Sequence, residues 1–184
     1  MMLKNRHKMH DLPYVWPFER KEVIFDKITE SNFNHVHLVG EAGAGKSRCL
    51  YELLELFKKD NSKEIIDCSC YDERNKNTPI LEVISDLTLP KKDINTFKNP
   101  YDLIEHYAQS KDIVIIIDDF HYEQDTINHF IEKLVYKLSD QNNISVTLIT
   151  ASRKEFPLKT THNFQRIRLD SLSSEEISIL IEKE

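Results

Sequence analysis

Glycine is scarce in this sequence, with three in 184 residues, where average usage of about 7% would supply roughly a dozen. All three, Gly40, Gly43 and Gly45, fall within one short stretch, so that segment needs a backbone that other residues do not supply. Long apolar runs are lacking too. The longest is 113–117, whereas a helical bilayer span takes about 20 residues, which excludes a transmembrane helix. Near the N-terminus, Lys4, Arg6 and Lys8 are followed by Pro13 and Pro17 rather than by an apolar stretch, so no secretory signal is read there. Cysteine is sparse and odd in number. Cys49, Cys68 and Cys70 have no disulfide-framework spacing, and they fit small core residues in a reducing compartment better than metal ligands. An excess of positive charge is also lacking: 31 acidic side chains oppose 25 basic ones, for a net charge of −6. That balance argues against a chain drawn as a whole onto nucleic acid or an acidic membrane, and leaves open only a local basic patch.

What is present suits one folded, soluble, cytoplasmic domain. Hydrophobic residues make up 40% and charged residues 30%, enough apolar surface to bury and too little charge bias for disorder. Residues 1–17 have mixed charge and no sustained periodicity and read as an extended arm. Val23, Ile24 and Ile28 suggest a short helix, followed by a strand over 35–39. Beyond the glycines, Leu50, Leu53, Leu54 and Phe57 recur with helical spacing. A second strand is expected over 64–69, and Pro79 and Pro100 each open a helix. Residues 113–117 form a continuous β-branched run of the kind buried on both faces of a parallel sheet. Ile127, Phe130, Ile131, Leu134, Val135 and Leu138 mark the longest amphipathic helix, with strands expected over 145–150 and 164–169. Ser173 and Glu176 are spaced as a capping box for a last helix carrying Ile177, Leu180 and Ile181. The order is mostly β, α, β, α, so the expected fold is α/β: a three-layer sandwich around a central parallel sheet of about five strands.

Gly40-Glu41-Ala42-Gly43-Ala44-Gly45-Lys46-Ser47 fits the phosphate-loop pattern G-x-x-x-x-G-K-[ST], between a predicted strand and a predicted helix as that pattern requires. The glycines let successive N–H groups converge at a helix N-terminus, a nest suited to polyanionic phosphate. Lys46 is expected to reach the β- and γ-phosphates of a nucleotide. The Ser47 hydroxyl is expected on Mg²⁺, which favours oxygen ligands.

Asp118 and Asp119 close the apolar strand, at the C-terminal end where parallel α/β sheets bind ligands. Asp118 is expected to hold Mg²⁺ through its water shell, and Asp119 to orient or deprotonate an attacking water. The interval from Lys46 to Asp118 leaves room for a strand between the two motifs, as in ATP hydrolases. His35 and His37 share a strand face, but a metal site needs three or four ligands, so both are read as structural.

Taken together, these segments resemble the AAA-like ATPase modules of the STAND class, known from bacterial transcription regulators, kinases and adenylyl cyclases. Residues 40–48 look like that group's G-E-A-G-x-G-K-S-R loop, with Arg48 as its last position. Asp118-Asp119-Phe120-His121-Tyr122-Glu123-Gln124-Asp125 is similar to its D-D-x-H-W-x-x-D stretch, with Tyr122 in place of tryptophan. Cys70-Tyr71 with Thr78-Pro79-Ile80 is similar to the segment after its second strand, and Thr147-Leu148-Ile149-Thr150-Ala151-Ser152-Arg153 to its sensor strand. Phe18-Glu19-Arg20-Lys21-Glu22 resembles its F-V-G-R-E opening, with Glu19 where the family has glycine. The resemblance spans roughly residues 14 to 181.

The resemblance implies an ASCE-type sheet, ATP and Mg²⁺ as cofactors, and a nucleotide-controlled switch rather than a metabolic enzyme. It places Arg153 near the γ-phosphate, where an always-charged guanidinium neutralises developing charge, and Arg20 near the adenine pocket. It makes 18–170 the NTPase domain and 171–184 the first helix of a lid that continues, with effector or sensor domains, beyond Glu184. Without a visible arginine finger, turnover is expected to be slow. Partners would be ATP or ADP and other protein domains or a second copy of the chain, with no membrane. The competing readings are a scaffold that holds nucleotide without hydrolysis, a replication-type AAA+ loader or initiator acting on DNA, and, last, a small-molecule kinase.

Overall fold

The computed structural model describes residues 35–69, 99–118, 124–138, 145–153 and 164–181. Five strands and four helices lie within them: β1 (His35–Val39), α1 (Lys46–Phe57), β2 (Lys63–Ser69), α2 (Pro100–Ala108), β3 (Asp112–Asp118), α3 (Gln124–Leu138), β4 (Val146–Ser152), β5 (Phe164–Arg168) and α4 (Ser174–Ile181). The strands form one sheet in the order β2-β3-β4-β1-β5, and every pairing is parallel. The chain thus leaves β1 for the far edge of the sheet and works back towards it. β4 separates the strand of the glycine loop from the strand that ends at Asp118, as the spacing between the motifs permits.

Alternation along each strand divides the core into two layers. Val36 and Leu38 of β1, Val114 and Ile116 of β3, and Ile149 and Ala151 of β4 pack against Cys49, Leu50, Leu53 and Leu54 of α1. On the opposite face, Ile113, Ile115 and Ile117 of β3 and Leu148 of β4 meet Ile104 and Ala108 of α2 and Phe130, Ile131 and Leu134 of α3. This is the expected three-layer sandwich. β3 reads as an unbroken apolar run because both of its faces are covered, and each isoleucine fully buried there contributes about 1.5–3 kcal/mol.

The local signals account for the helix ends. Asn99 caps α2 by accepting the Asp102 backbone N–H at 3.0 Å, with Pro100 supplying a preset φ at the first turn. After α1 the Asp60 carboxylate accepts from the Ser62 backbone N–H at 3.0 Å and turns the chain into β2. α2 and α3 are tied together by Tyr101 stacked on Phe130 at 5.4 Å. α4 begins where the Ser173 spacing predicts, with the Ile177 N–H donating to the Ser173 carbonyl at 2.9 Å. Glu175 is also drawn into this cap: hydrogen bonds from its own backbone and from the Ser173 side chain lower its pKa. β4 runs two residues beyond the predicted strand, because Ala151 and Ser152 continue to pair with Leu38 and Val39 of β1. No described helix is long and apolar enough to cross a membrane. The predicted arm over 1–17, the helix before β1 and the helix opened by Pro79 lie outside the described residues.

Candidate functional site: a phosphate loop at the C-terminal sheet edge

The glycine loop springs from the C-terminal end of β1 and delivers the chain into α1. Gly43 and Gly45 hold φ of +83° and +87°, the left-handed region that L side chains avoid. Gly45 is the N-cap residue of α1, and no side chain caps that end. α1 also carries no acidic residue in its first turn. Its leading N–H groups and the positive end of its dipole are thus left to an external anion. Gly40 serves another purpose. A Cβ there would stand 2.3 Å from the Leu169 carbonyl oxygen, so the loop's first residue must be glycine for the chain leaving β5 to pass beside it. The Gly40 N–H donates to the Ser152 carbonyl at 3.3 Å, and the Leu169 N–H to the Val39 carbonyl at 2.7 Å. Both neighbouring strands therefore grip the root of the loop, while Glu41, Ala42 and Gly43 are exposed at its crest.

Lys46 opens α1, and its side chain curls back under the loop. Only 7% of it is exposed. The ammonium donates to the Gly40 carbonyl at 2.7 Å and to the Glu41 carbonyl at 2.8 Å, so the charge is held inside the ring of backbone that an anion would enter. Ser47 follows, half-buried in the first turn. Asp118 ends β3 and is 4% exposed. By alternation with Val114 and Ile116 it faces the α1 side of the sheet, the side that bears Lys46 and Ser47. It lies two strand spacings, about 10 Å, from the end of β1. Lys46, Ser47 and Asp118 are thereby gathered at one edge and on one face.

The donor set fits a nucleotide and its Mg²⁺: uncapped helix N–H groups and an ammonium for the phosphates, a hydroxyl and a carboxylate for a hard cation. Arg153 follows β4 immediately and is exposed at the same sheet edge. Arg48 turns along α1 instead, pairing with Glu52 one turn on and lying 5.4 Å from the Tyr51 ring centre. Asp119, Arg20, His121 and Tyr122 lie outside the described residues. Among the described residues no His, Cys, Asp or Glu group has the makings of a metal cluster. Cys49 and Cys68 are buried thiols, as small core residues should be.

One arrangement was not legible in the sequence. His35 and His37 do face the same side, but both are woven into β4. The His35 Nδ1 accepts the Leu148 N–H at 3.1 Å. His37 lies between two hydroxyls, its Nδ1 2.6 Å from Thr150 Oγ1 and its Nε2 3.1 Å from Ser152 Oγ. Burial, and secondarily the charge of Arg166, lowers the His37 pKa to about 4. The available signal was the alternation of histidine with valine in a strand otherwise fit for burial, but its partners on β4 stand more than a hundred residues away.

Comparison with known proteins agrees with this geometry. The AAA domain family matches residues 30–155, whereas no curated protein matches the chain. Among solved structures, Drosophila ORC bound to DNA superposes with a TM-score of 0.64 at 16% identity, covering 91% of this chain and 47% of that one. Cdc6p from Pyrobaculum aerophilum gives 0.64 at 16% identity, covering 93% and 50%. Domain III of the Thermotoga maritima replication initiation protein DnaA gives 0.59 at 14%, covering 92% and 69%. The chain spans about half the length of the first two, and at these identities the likeness is one of fold. With a phosphate loop on β1, an acidic end on β3 and β4 between them, the chain belongs to the AAA domain family, as an α/β P-loop domain of the AAA+ ATPase type.

Proposed function

We propose that this chain is a Mg²⁺-dependent ATP-binding and slowly hydrolysing domain of the STAND type, acting as a nucleotide-controlled switch within a larger regulatory or defence protein. The observation that carries it is the uncapped N-terminus of α1 above a buried Lys46 ammonium, with Ser47 and Asp118 on the same face of the sheet. Ser47 and Asp118 are the residues that would hold Mg²⁺, whose chemistry there would be to offset the charge of the phosphates. The chain's own residues do the rest. Lys46 would exchange its loop carbonyls for phosphate oxygens, the Ser47 hydroxyl would ligate the cation, Asp118 would hold it through its water shell, Asp119 would orient the attacking water, and Arg153 would steady charge at the open end of β4. The direct run from Leu169, in contact with Gly40, to α4 supports reading 171–184 as the first helix of a lid that follows the loop. Expected partners are further protein domains or a second copy of the chain.

Thermal unfolding with Mg²⁺ and ATP, ADP or GTP tests this. Ligand at 100 times its Kd adds about 2.7 kcal/mol, which raises Tm by roughly 5–10 °C for a domain of this size. The shift should appear with adenine nucleotides and vanish in Lys46→Ala; an equal shift in that variant would refute the loop as the site. Asp119→Asn should keep ATP affinity and slow single-turnover hydrolysis, and an unchanged rate would remove Asp119 from the chemistry. ATP affinity without phosphate release, even at high protein concentration, would instead favour the scaffold reading.

A second reading, a replication-type loader or initiator, is favoured by the fold likeness to ORC, Cdc6 and DnaA and opposed by the net charge of −6. DNA binding measured across a salt series separates the two, because phosphate contacts impose a steep loss of affinity with salt.

A further inference from the structure

The first turn of α1 is charged against the preference of a helix. Lys46 and Arg48 are cations beside the positive end of the dipole, and no acidic residue stands in that turn to offset them. A carboxylate comes only one turn further on, where Glu52 pairs with Arg48. Cation before carboxylate is the weaker order for an i, i+4 pair, because each charge sits towards the wrong end of the dipole. The contact also draws the Arg48 side chain away from the loop, whereas helical side chains incline towards the N-terminus.

The pair is nevertheless well held. The two side chains are 21% and 20% exposed, and the guanidinium lies 5.4 Å from the Tyr51 ring centre, within cation–π range. Glu52 acts on its surroundings as a charge, since it adds to burial in raising the Cys49 thiol. A first turn with two opposed cations, one of them held by an internal carboxylate, has its charges balanced best when an anion sits at the head of the helix. The Lys46 ammonium is bound by loop carbonyls, so Arg48 is the cation of this turn with a countercharge to exchange. Its planar fork fits a carboxylate and a phosphate alike.

We propose that Glu52 is an internal counter-ion that competes with the nucleotide for Arg48: it holds the guanidinium while the loop is empty and yields it to the phosphates, so that its carboxylate sets a lower affinity than the loop would otherwise have. This rests on the ATP-binding reading above and adds to it a residue that governs how tightly the site holds its ligand.

Titration calorimetry with Mg²⁺ and either ADP or a non-hydrolysable ATP analogue tests this through a double-mutant cycle. Glu52→Gln removes the charge while keeping the shape, and should tighten binding by about three- to fivefold, the range that a partly exposed ion pair can withhold. Arg48→Gln should weaken binding by about tenfold. In the Arg48→Gln background, Glu52→Gln should bring no further gain, because no guanidinium is left to compete for. An equal gain in both backgrounds means that Glu52 only repels the phosphates through space, and overturns the exchange. Glu52→Gln with a lower Tm and unchanged affinity overturns it too, leaving the pair as a support for the helix alone. A crystal structure of the wild-type chain with the ATP analogue decides without any variant: Arg48 on a phosphate oxygen supports the proposal, and Arg48 still on Glu52 overturns it. A wild-type chain that binds neither nucleotide fails the proposed function itself, and this inference falls with it.

Discussion

His37 combines burial, a paired ring and a lowered pKa, which couples its titration directly to the fold. Its pKa lies at about 4 in the folded chain against 6.5 in the open, chiefly from desolvation and then from Arg166. The fold thus favours the neutral ring, and the stabilisation is complete above the unfolded value. It drains as pH falls from 6.5 through 4, amounting to about 3 kcal/mol once both states are protonated. Urea unfolding of the wild type at pH 7 and pH 4.5 should show that loss superposed on any carboxylate effects, and His37→Gln should lose less over the same interval; equal losses would mean that the ring is not what titrates. At this scale the sequence was legible where chemistry is local. Lys46, Ser47 and Asp118 were expected together from the loop pattern and the strand end, and the fold gathers them at one edge of the sheet. Arg48 has a partner that the motif does not encode, since helical spacing brings it to Glu52 and Tyr51. The partners of His37 were hidden because they depend on strand order, which no local pattern encodes.

Among the elements, the loop and its flanking strands show two separate demands on glycine. Gly43 needs its backbone angle but meets nothing within 4 Å, whereas Gly40 needs the space taken by the Leu169 carbonyl. Gly43→Ala should therefore cost about 1–2 kcal/mol, the penalty of one left-handed residue. Gly40→Ala has to displace a backbone strand exit and should cost about 3 kcal/mol, with the spacing of β1 and β5 disturbed. Chemical denaturation of both variants checks the order, and a Gly40→Ala change as mild as Gly43→Ala would mean that the chain after β5 yields freely. The helices and strands themselves were readable because periodicity and caps agree: Pro100 with Asn99 for α2, the β-branched run for β3, Ser173 for α4. The strand boundary that shifted most, at the end of β4, did so because pairing with β1 carries Ala151 and Ser152 beyond the point where apolar alternation stops.

For the molecule as a whole, the two core layers meet through a single parallel sheet, so exposing one interior side chain requires undoing most of it. Cys49 belongs to the α1 layer and Cys68 to the opposite one. Both are at 0% exposure, and burial, reinforced by Glu52, raises the Cys49 thiol to about 12. Neither should react with an alkylating reagent at neutral pH while the domain stays folded, because the thiolate is the reactive form. Their labelling then reports global opening from both sides of the sheet. If β1, α1 and β3 together hold Mg²⁺ and ATP, ligand at 100 times its Kd should slow labelling of the two cysteines in parallel by about 100-fold, and Lys46→Ala should abolish the effect. Protection of Cys49 alone would mean that α1 and the loop open as a unit separate from β2. Equal labelling with and without nucleotide, in a chain that binds it by calorimetry, would mean that the thiols are reached through local openings that the loop does not govern.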